Sequence, residues 1–281
     1  ISTIIAAIDY AIANKAAYNI RVMNLSVGAG VYETYETDPL TLAAKRAVDA
    51  GIVVVAAAGN LGRNATAESL YGGITSPGNA PWVLTVGASS TEGTAGRSDD
   101  TIAGFSSRGP TAIDYLAKPD LVAPGTGMVS TSDPNSLLYL TKPQALLSGS
   151  VPTAYLPYLS LSGTSMAAPV VAGSVALMLE ANPALTPNLV KAILQYTSQA
   201  RPQYDFLTQG AGFLNARGAV KLARFFAHPT PGQGYPVSRH WNRHIIWGNQ
   251  RIGGGAILPS ANAWDDNIVW GSGLVTHNQS V

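Results

Sequence analysis

The sequence predicts an α/β fold: a parallel sheet flanked by helices on both faces. Two observations carry this. Apolar strands alternate with amphipathic helices along most of the chain, the pattern that builds parallel sheets. And the stretch from Ile52 to Ala58 is apolar at every position, as expected of a strand covered on both faces.

The elements follow in order. Ile4 to Ala13 has apolar residues at helical spacing. Ile20 to Leu25 is a short apolar strand. Leu40 to Ala50 predicts a helix with Leu40, Ala43, Ala44, Ala47 and Val48 on one face, closed by Gly51 as its C-terminal cap. Val83 to Val86 and Leu121 to Ala123 are further strands. From Val170 to Leu179 the chain is apolar on nearly every side, which marks a buried helix. Thr186-Pro187 opens another helix, with Pro at its first position.

Composition narrows the function classes. The 281 residues can bury a sizeable core. Formal net charge is +1 with 12% charged residues, so no nucleic-acid partner is expected. There is no Cys, which excludes disulfides and a thiol nucleophile. No apolar run is expected to reach the ~18 residues of a membrane span. No signal peptide is visible.

The most informative segment is Gly163-Thr164-Ser165-Met166-Ala167-Ala168-Pro169. Ser165 falls in the first turn of the buried helix, where free N–H groups and the positive dipole end favour negative charge. Ser is a weak nucleophile that needs a base and a fixed position. On local grounds Ser165 is either such a nucleophile or a helix cap. Asn60, at the carboxyl end of the strand from Ile52, is either a ligand-facing donor or a turn residue.

Taken together, these segments resemble the C-terminal two-thirds of a subtilisin-like serine peptidase (subtilase) catalytic domain. The matching motifs run in family order. They are Val22 to Gly28, Val53 to Asn60, Ser76-Pro77-Gly78 with Val83 to Ala88, Phe105 to Pro110, Lys118 to Gly125, the Ser165 motif, and Gln209 to Ala216. The resemblance covers roughly residues 1 to 227. It implies Ser165 as nucleophile and Asn60 as oxyanion donor, with the Ser165 backbone N–H beside it. Leu25, Ser26, Val27 and Gly28 would offer an edge to an extended peptide. Ala57, Ala58, Gly59 and Thr164 would complete the substrate-binding set. The family's Asp and His precede the helix that opens this chain, so both are expected on a missing upstream segment. No His precedes His228; the others are His240, His244 and His277. No residue here takes over the Asp or His role.

Three functions follow. The first is a serine endopeptidase acting on polypeptides. The second is a serine hydrolase or esterase with an incomplete triad, acting on a small ester. The third is an inactive peptide-binding remnant. No cofactor is required. Structural calcium is possible, but no ligand run identifies a metal site, and Asp99-Asp100 and Asp265-Asp266 are expected in solvated turns. The resemblance implies secretion. Without the family's first strands, Arg21 to Leu25 becomes an open sheet edge, to be covered by the missing N-terminal segment or by a second copy.

Two regions fall outside the pattern. Residues 127–161 are longer than the family's connection and predict an inserted surface loop or hairpin. Residues 228–281 predict a Pro-marked linker and a short β-rich extension. There Arg243-His244-Ile245-Ile246-Trp247-Gly248 is echoed by Asp266-Asn267-Ile268-Val269-Trp270-Gly271, two short strands expected to pair with each other or to dock on the domain.

Overall fold

A computed structural model gives the architecture. It describes residues 1–228, 234–247, 250–253, 255–257, 267–270 and 273–276.

The chain opens with helices α1 (Ser2–Ala13) and α2 (Lys15–Tyr18), then strand β1 (Val22–Leu25), helix α3 (Pro39–Asp49) and strand β2 (Val53–Ala57). Strands β3 (Leu84–Ser90), β4 (Thr101–Ile102) and β5 (Leu121–Pro124) complete the main sheet. β1, β2, β3 and β5 lie side by side and parallel, in that order. β4 runs antiparallel to the end of β3, at Ser89 and Ser90. The predicted sheet is thus present, with β3 longer than its apolar run.

Burial of β2 on both faces follows from side-chain alternation. Val53 and Val55 join the core with helices α5 (Thr164–Ala181), α6 (Pro187–Thr197) and α8 (Ala216–Ala227). Ile52, Val54 and Ala56 point the other way, to Ile8 of α1 and Leu40, Ala44 and Ala47 of α3. Local chemistry sets the helix ends. Asp38 Oδ1 accepts from Leu40 N–H at 2.7 Å and starts α3. Gly51 takes φ +81° after it, with Gly51 N–H donating to Val48 O and Ile52 N–H to Ala47 O. That double bond is a Schellman cap, which the left-handed glycine permits. Thr186 Oγ1 caps α6 by accepting from Leu189 N–H at 3.2 Å.

Three expectations are corrected. Residues 127–161 are not a plain loop or hairpin. They form an antiparallel sheet of β6 (Met128–Thr131), β8 (Tyr158–Leu161) and β7 (Leu146–Leu147), in the order β6-β8-β7, with the short helix α4 (Leu137–Thr141). Helix α5, at 18 residues, is long and apolar enough to cross a membrane. Its apolar face is instead spent inside the protein, where Ala167, Ala168, Val171, Val175 and Met178 are fully buried. Asp100 is buried rather than solvated, and pairs with Arg97 at 3.5 Å and Arg201 at 3.9 Å. Asp265-Asp266 lie outside the described residues.

The tail from Trp241 to Ile257 docks on the domain. Strand β9 (His244–Trp247) pairs with β10 (Gln250–Gly253), and β11 (Asn267–Trp270) with β12 (Gly273–Thr276), all antiparallel. The two echoed motifs therefore pair each with its own successor and not with each other. Trp241, Ile245, Ile252 and Ile257 enter the main core. Gln195 of α6 joins tail to sheet. Its Oε1 accepts from Ile246 N–H at 2.9 Å and its Nε2 donates to Asp120 Oδ1 at 2.9 Å. A short helix, α7 (Phe206–Gln209), precedes the turn into α8.

Candidate active site

The site lies at the carboxyl edge of the sheet, where open parallel sheets place ligands. β1 delivers Ser26 there, β2 delivers Gly59 and Asn60, and the N-terminus of α5 delivers Thr164 and Ser165.

Sequence explains how these parts lock. Pro169 sits four residues after Ser165, where a helix would place the N–H that bonds the Ser165 carbonyl. Pro has no N–H, so that carbonyl is left over. Ser26 Oγ donates to it at 2.7 Å. In return, Ser165 Oγ donates to the Ser26 carbonyl at 3.2 Å. Asn24 Nδ2 holds Ser26 Oγ in place at 2.9 Å. The end of β1 and the start of the helix are thus clasped to each other.

Thr164 forms a second clasp, to β2. Its N–H donates to Asn60 Oδ1 at 3.0 Å and its hydroxyl lies 3.1 Å from the same oxygen. Gly59 N–H donates to Thr164 Oγ1 at 3.1 Å. A backbone N–H can only donate, so it fixes the Asn60 amide with its oxygen inward and Nδ2 outward. Among the described residues, neither Asn60 Nδ2 nor the Ser165 N–H donates to a protein acceptor. Two donors therefore remain free at the mouth of α5: a Cβ on Gly163 would lie 3.5 Å from Asn60 Nδ2 and 3.7 Å from the Ser165 nitrogen. Gly59 is required at its position: φ is +105°, and a Cβ would meet Ser107 Oγ at 2.8 Å.

The predicted substrate-binding residues divide. Val27 and Gly28 are exposed, and Ser26 and Gly59 are part-buried. Leu25, Ala57, Ala58 and Thr164 are buried, so their side chains frame the site and do not line its surface. Ser26 and Thr164 brace Ser165 and Asn60 through hydrogen bonds that residue type alone did not reveal. Pro169, four residues after the serine, was the available signal.

No His, Asp or Glu side chain is hydrogen-bonded to Ser165 among the described residues. His228 lies beyond α8 in a groove of about 700 Å³ that also holds Leu177, near the far end of α5 from Ser165. His240 bonds to Arg239 and His244 to Asn242. Among the described residues, no group of three or more His, Cys, Asp or Glu side chains could hold a metal ion.

At the amino edge of the sheet lies a cluster that the residue pattern did not reveal. Lys118 Nζ is 2.8 Å from Asp120 Oδ2, and Lys191 Nζ is 2.9 Å from Asp120 Oδ1. All three are buried. Burial pushes the Lys118 ammonium down to about 7, against the pull of Asp120. Burial alone would raise the Asp120 carboxyl, but the two ammonium groups outweigh it and hold the carboxyl below its ordinary value. Lys118 Nζ also donates to Thr85 Oγ1 and to the Val83 carbonyl, both at 2.9 Å. The cluster ties the amino ends of β3 and β5 to α6, at the edge of the sheet opposite Ser165.

Comparison with known proteins agrees with this arrangement. Residues 1–218 match the model of the subtilase family, Peptidase_S8. The serine protease AprX of Bacillus subtilis (strain 168) is 42% identical over 203 residues, covering 72% of this chain and 43% of that protein. An extracellular protease of Xanthomonas campestris pv. campestris is 34% identical, over 72% of this chain and 28% of its own length. This chain thus spans less than half the length of either. Among solved structures, fervidolysin of Fervidobacterium pennivorans, a keratinolytic enzyme related to subtilisin, superposes with a TM-score of 0.56 at 28% identity. It covers 77% of this chain and 28% of that one. A family match over most of the chain, the parallel sheet, and a serine clasped at the mouth of a buried helix lead to one conclusion: this chain belongs to the subtilase family.

Proposed function

We propose that this chain is the nucleophile-bearing part of a secreted serine endopeptidase. Ser165 attacks the scissile carbonyl, and the oxygen that becomes negative is held by Asn60 Nδ2 and the Ser165 N–H. The observation that carries this reading is the orientation of the Asn60 amide. With Oδ1 committed to Thr164 N–H at 3.0 Å, Nδ2 is the free end, beside the free N–H of Ser165. Preorganised donors of this kind act where charge develops in the transition state. The base and its orienting carboxylate come from a polypeptide segment outside residues 1–228. That segment docks along β1, whose strand partner among the described residues is β2 alone. The substrate is an extended polypeptide laid past Val27 and Gly28 by strand addition. The reaction requires no cofactor, because the chemistry is carried by side chains.

Fluorophosphonate labelling tests this. The expected result is slow labelling of the 281-residue chain and rapid, stoichiometric labelling once an upstream segment bearing Asp and His is supplied. Both should be abolished by Ser165→Ala. Rapid labelling of the chain alone would place a base within it. No labelling even with the upstream segment would reject Ser165 as a nucleophile.

A further inference from the structure

The insert of residues 127–161 has a composition unlike the rest of the surface. Its 35 residues carry two charged side chains, Asp133 and Lys142. Leu159 is its one buried apolar side chain. Met128, Tyr139, Leu146 and Leu161 are half-buried, but Leu137 is 75% exposed, Val151 69% and Leu140 68%, with Leu138, Tyr155 and Tyr158 also exposed. A single-layer sheet has no second layer to cover such a face. Contiguous apolar patches of this kind mark interaction sites.

The insert also holds a formed groove. Tyr139 of α4 and the loop 148–156 enclose about 530 Å³. Its walls are fixed by hydrogen bonds. Leu156 N–H donates to the Tyr139 hydroxyl at 3.2 Å, and Ser132 Oγ donates to Leu156 O at 2.8 Å. Both feet of the insert stand at the nucleophile. Gly163 N–H donates to Gly125 O at 2.8 Å, and Gly127 N–H donates to Ser162 Oγ at 2.9 Å. Met128 then pairs with Leu161, four positions before Ser165. Gly125 permits this approach, since a Cβ there would meet Gly163 O at 2.8 Å. The foot of this apolar arm therefore adjoins the segment that carries Ser165.

We propose that the insert is a substrate-docking arm that selects uncharged, apolar stretches of polypeptide and holds them beside Ser165. The inference rests on the endopeptidase reading for the identity of its ligand. Its position contiguous with the cleft favours substrate over a second copy of the chain. Its near-absence of charge favours Leu- and Tyr-rich segments over acidic or basic ones.

The test uses binding, which needs no catalytic base. The Ser165→Ala chain is titrated against two fluorescein-labelled 20-residue peptides. One is built of Leu, Tyr, Ser and Gly; in the other every Leu and Tyr is Glu. The expected result is at least tenfold tighter binding of the apolar peptide, and at least a tenfold loss on adding Leu140→Asp with Val151→Asp. Circular dichroism checks that the variant is folded; Leu140→Ser with Val151→Ser replaces it if the aspartates disturb the sheet. Equal affinity for both peptides, or affinity untouched by either pair of substitutions, overturns the proposal. So does light scattering that shows a dimer dissociated by the same substitutions, because the arm would then be a self-interface. Failure of Ser165 to label, with apolar binding intact, rejects the peptidase reading and leaves a peptide-docking surface.

Discussion

The frame around Ser165 and the arm that grows from it are built in opposite ways. In the frame, residues are small, mostly part-buried and joined by hydrogen bonds: Ser26 to Ser165, Thr164 to Asn60, Gly59 to Thr164. In the arm, residues are large, apolar and exposed, with Leu159 alone buried. Stability and position belong to the first, and contact area to the second. Loss of a side chain should therefore be costly in one region and nearly free in the other.

The largest effect is expected at the opposite, amino edge of the sheet. Asp120→Asn removes the carboxylate between two buried ammonium groups, and stranding a buried charge costs about 3–5 kcal/mol. Urea unfolding would measure it, and a loss under about 1 kcal/mol would show that the cluster is hydrated or already neutral. The same cluster sets a pH dependence. With Lys118 at about 7 in the folded chain and near 10.4 when unfolded, the unfolded state binds more protons between those values. Stability should thus rise as pH increases from about 7 towards 10. Lys118→Met should flatten that rise, as read from midpoints of urea unfolding across the range.

Within the frame, Asn60→Ala should lower kcat by about 10²–10³-fold, or roughly 2.7–4 kcal/mol of barrier, with KM little changed. That magnitude is the one known for the oxyanion-hole asparagine of a subtilisin, and the measurement needs a preparation that hydrolyses peptide. A raised KM with unchanged kcat would make Asn60 a binding residue. Ser26→Ala is a smaller break. It leaves the Ser165 carbonyl without its donor, a loss of about 1–2 kcal/mol, to be seen in thermal unfolding. Smallest of all, Leu140→Ser in the arm should shift stability by no more than about 0.5 kcal/mol. A cost several times larger would mean that the exposed face packs against something in solution, and the contrast between the regions would fail.

The main sheet was legible because β2 is apolar at every position and Gly51 can take the left-handed backbone that ends α3. That Ser165 and Asn60 would meet at the carboxyl edge was legible because their motifs are specific and occur in order. The arm was not, because antiparallel strands as short as Leu146–Leu147 leave no periodicity to count. The Lys118–Asp120–Lys191 cluster was invisible for another reason. Lys191 is far in sequence from Lys118 and Asp120, and charged residues are ordinarily expected outside. In the tail, repetition was legible but pairing was not, since a repeat reports that two segments are alike and not which strand each will meet.

The Gln195 amide has a consequence for where this protein begins and ends as a cooperative body. Similarity to the family stops at residue 218. The side chain of Gln195 nevertheless spans from Asp120 in the sheet to the backbone of Ile246, well past that limit. Cutting the chain after α8 would leave Gln195 Oε1 buried without its donor and would uncover the faces that Trp241, Ile245 and Ile257 now fill. The sheet and the strands that follow it should accordingly melt in one transition. Evolutionary kinship and thermodynamic unity draw different boundaries on the same polypeptide, and the second runs to at least Ile257.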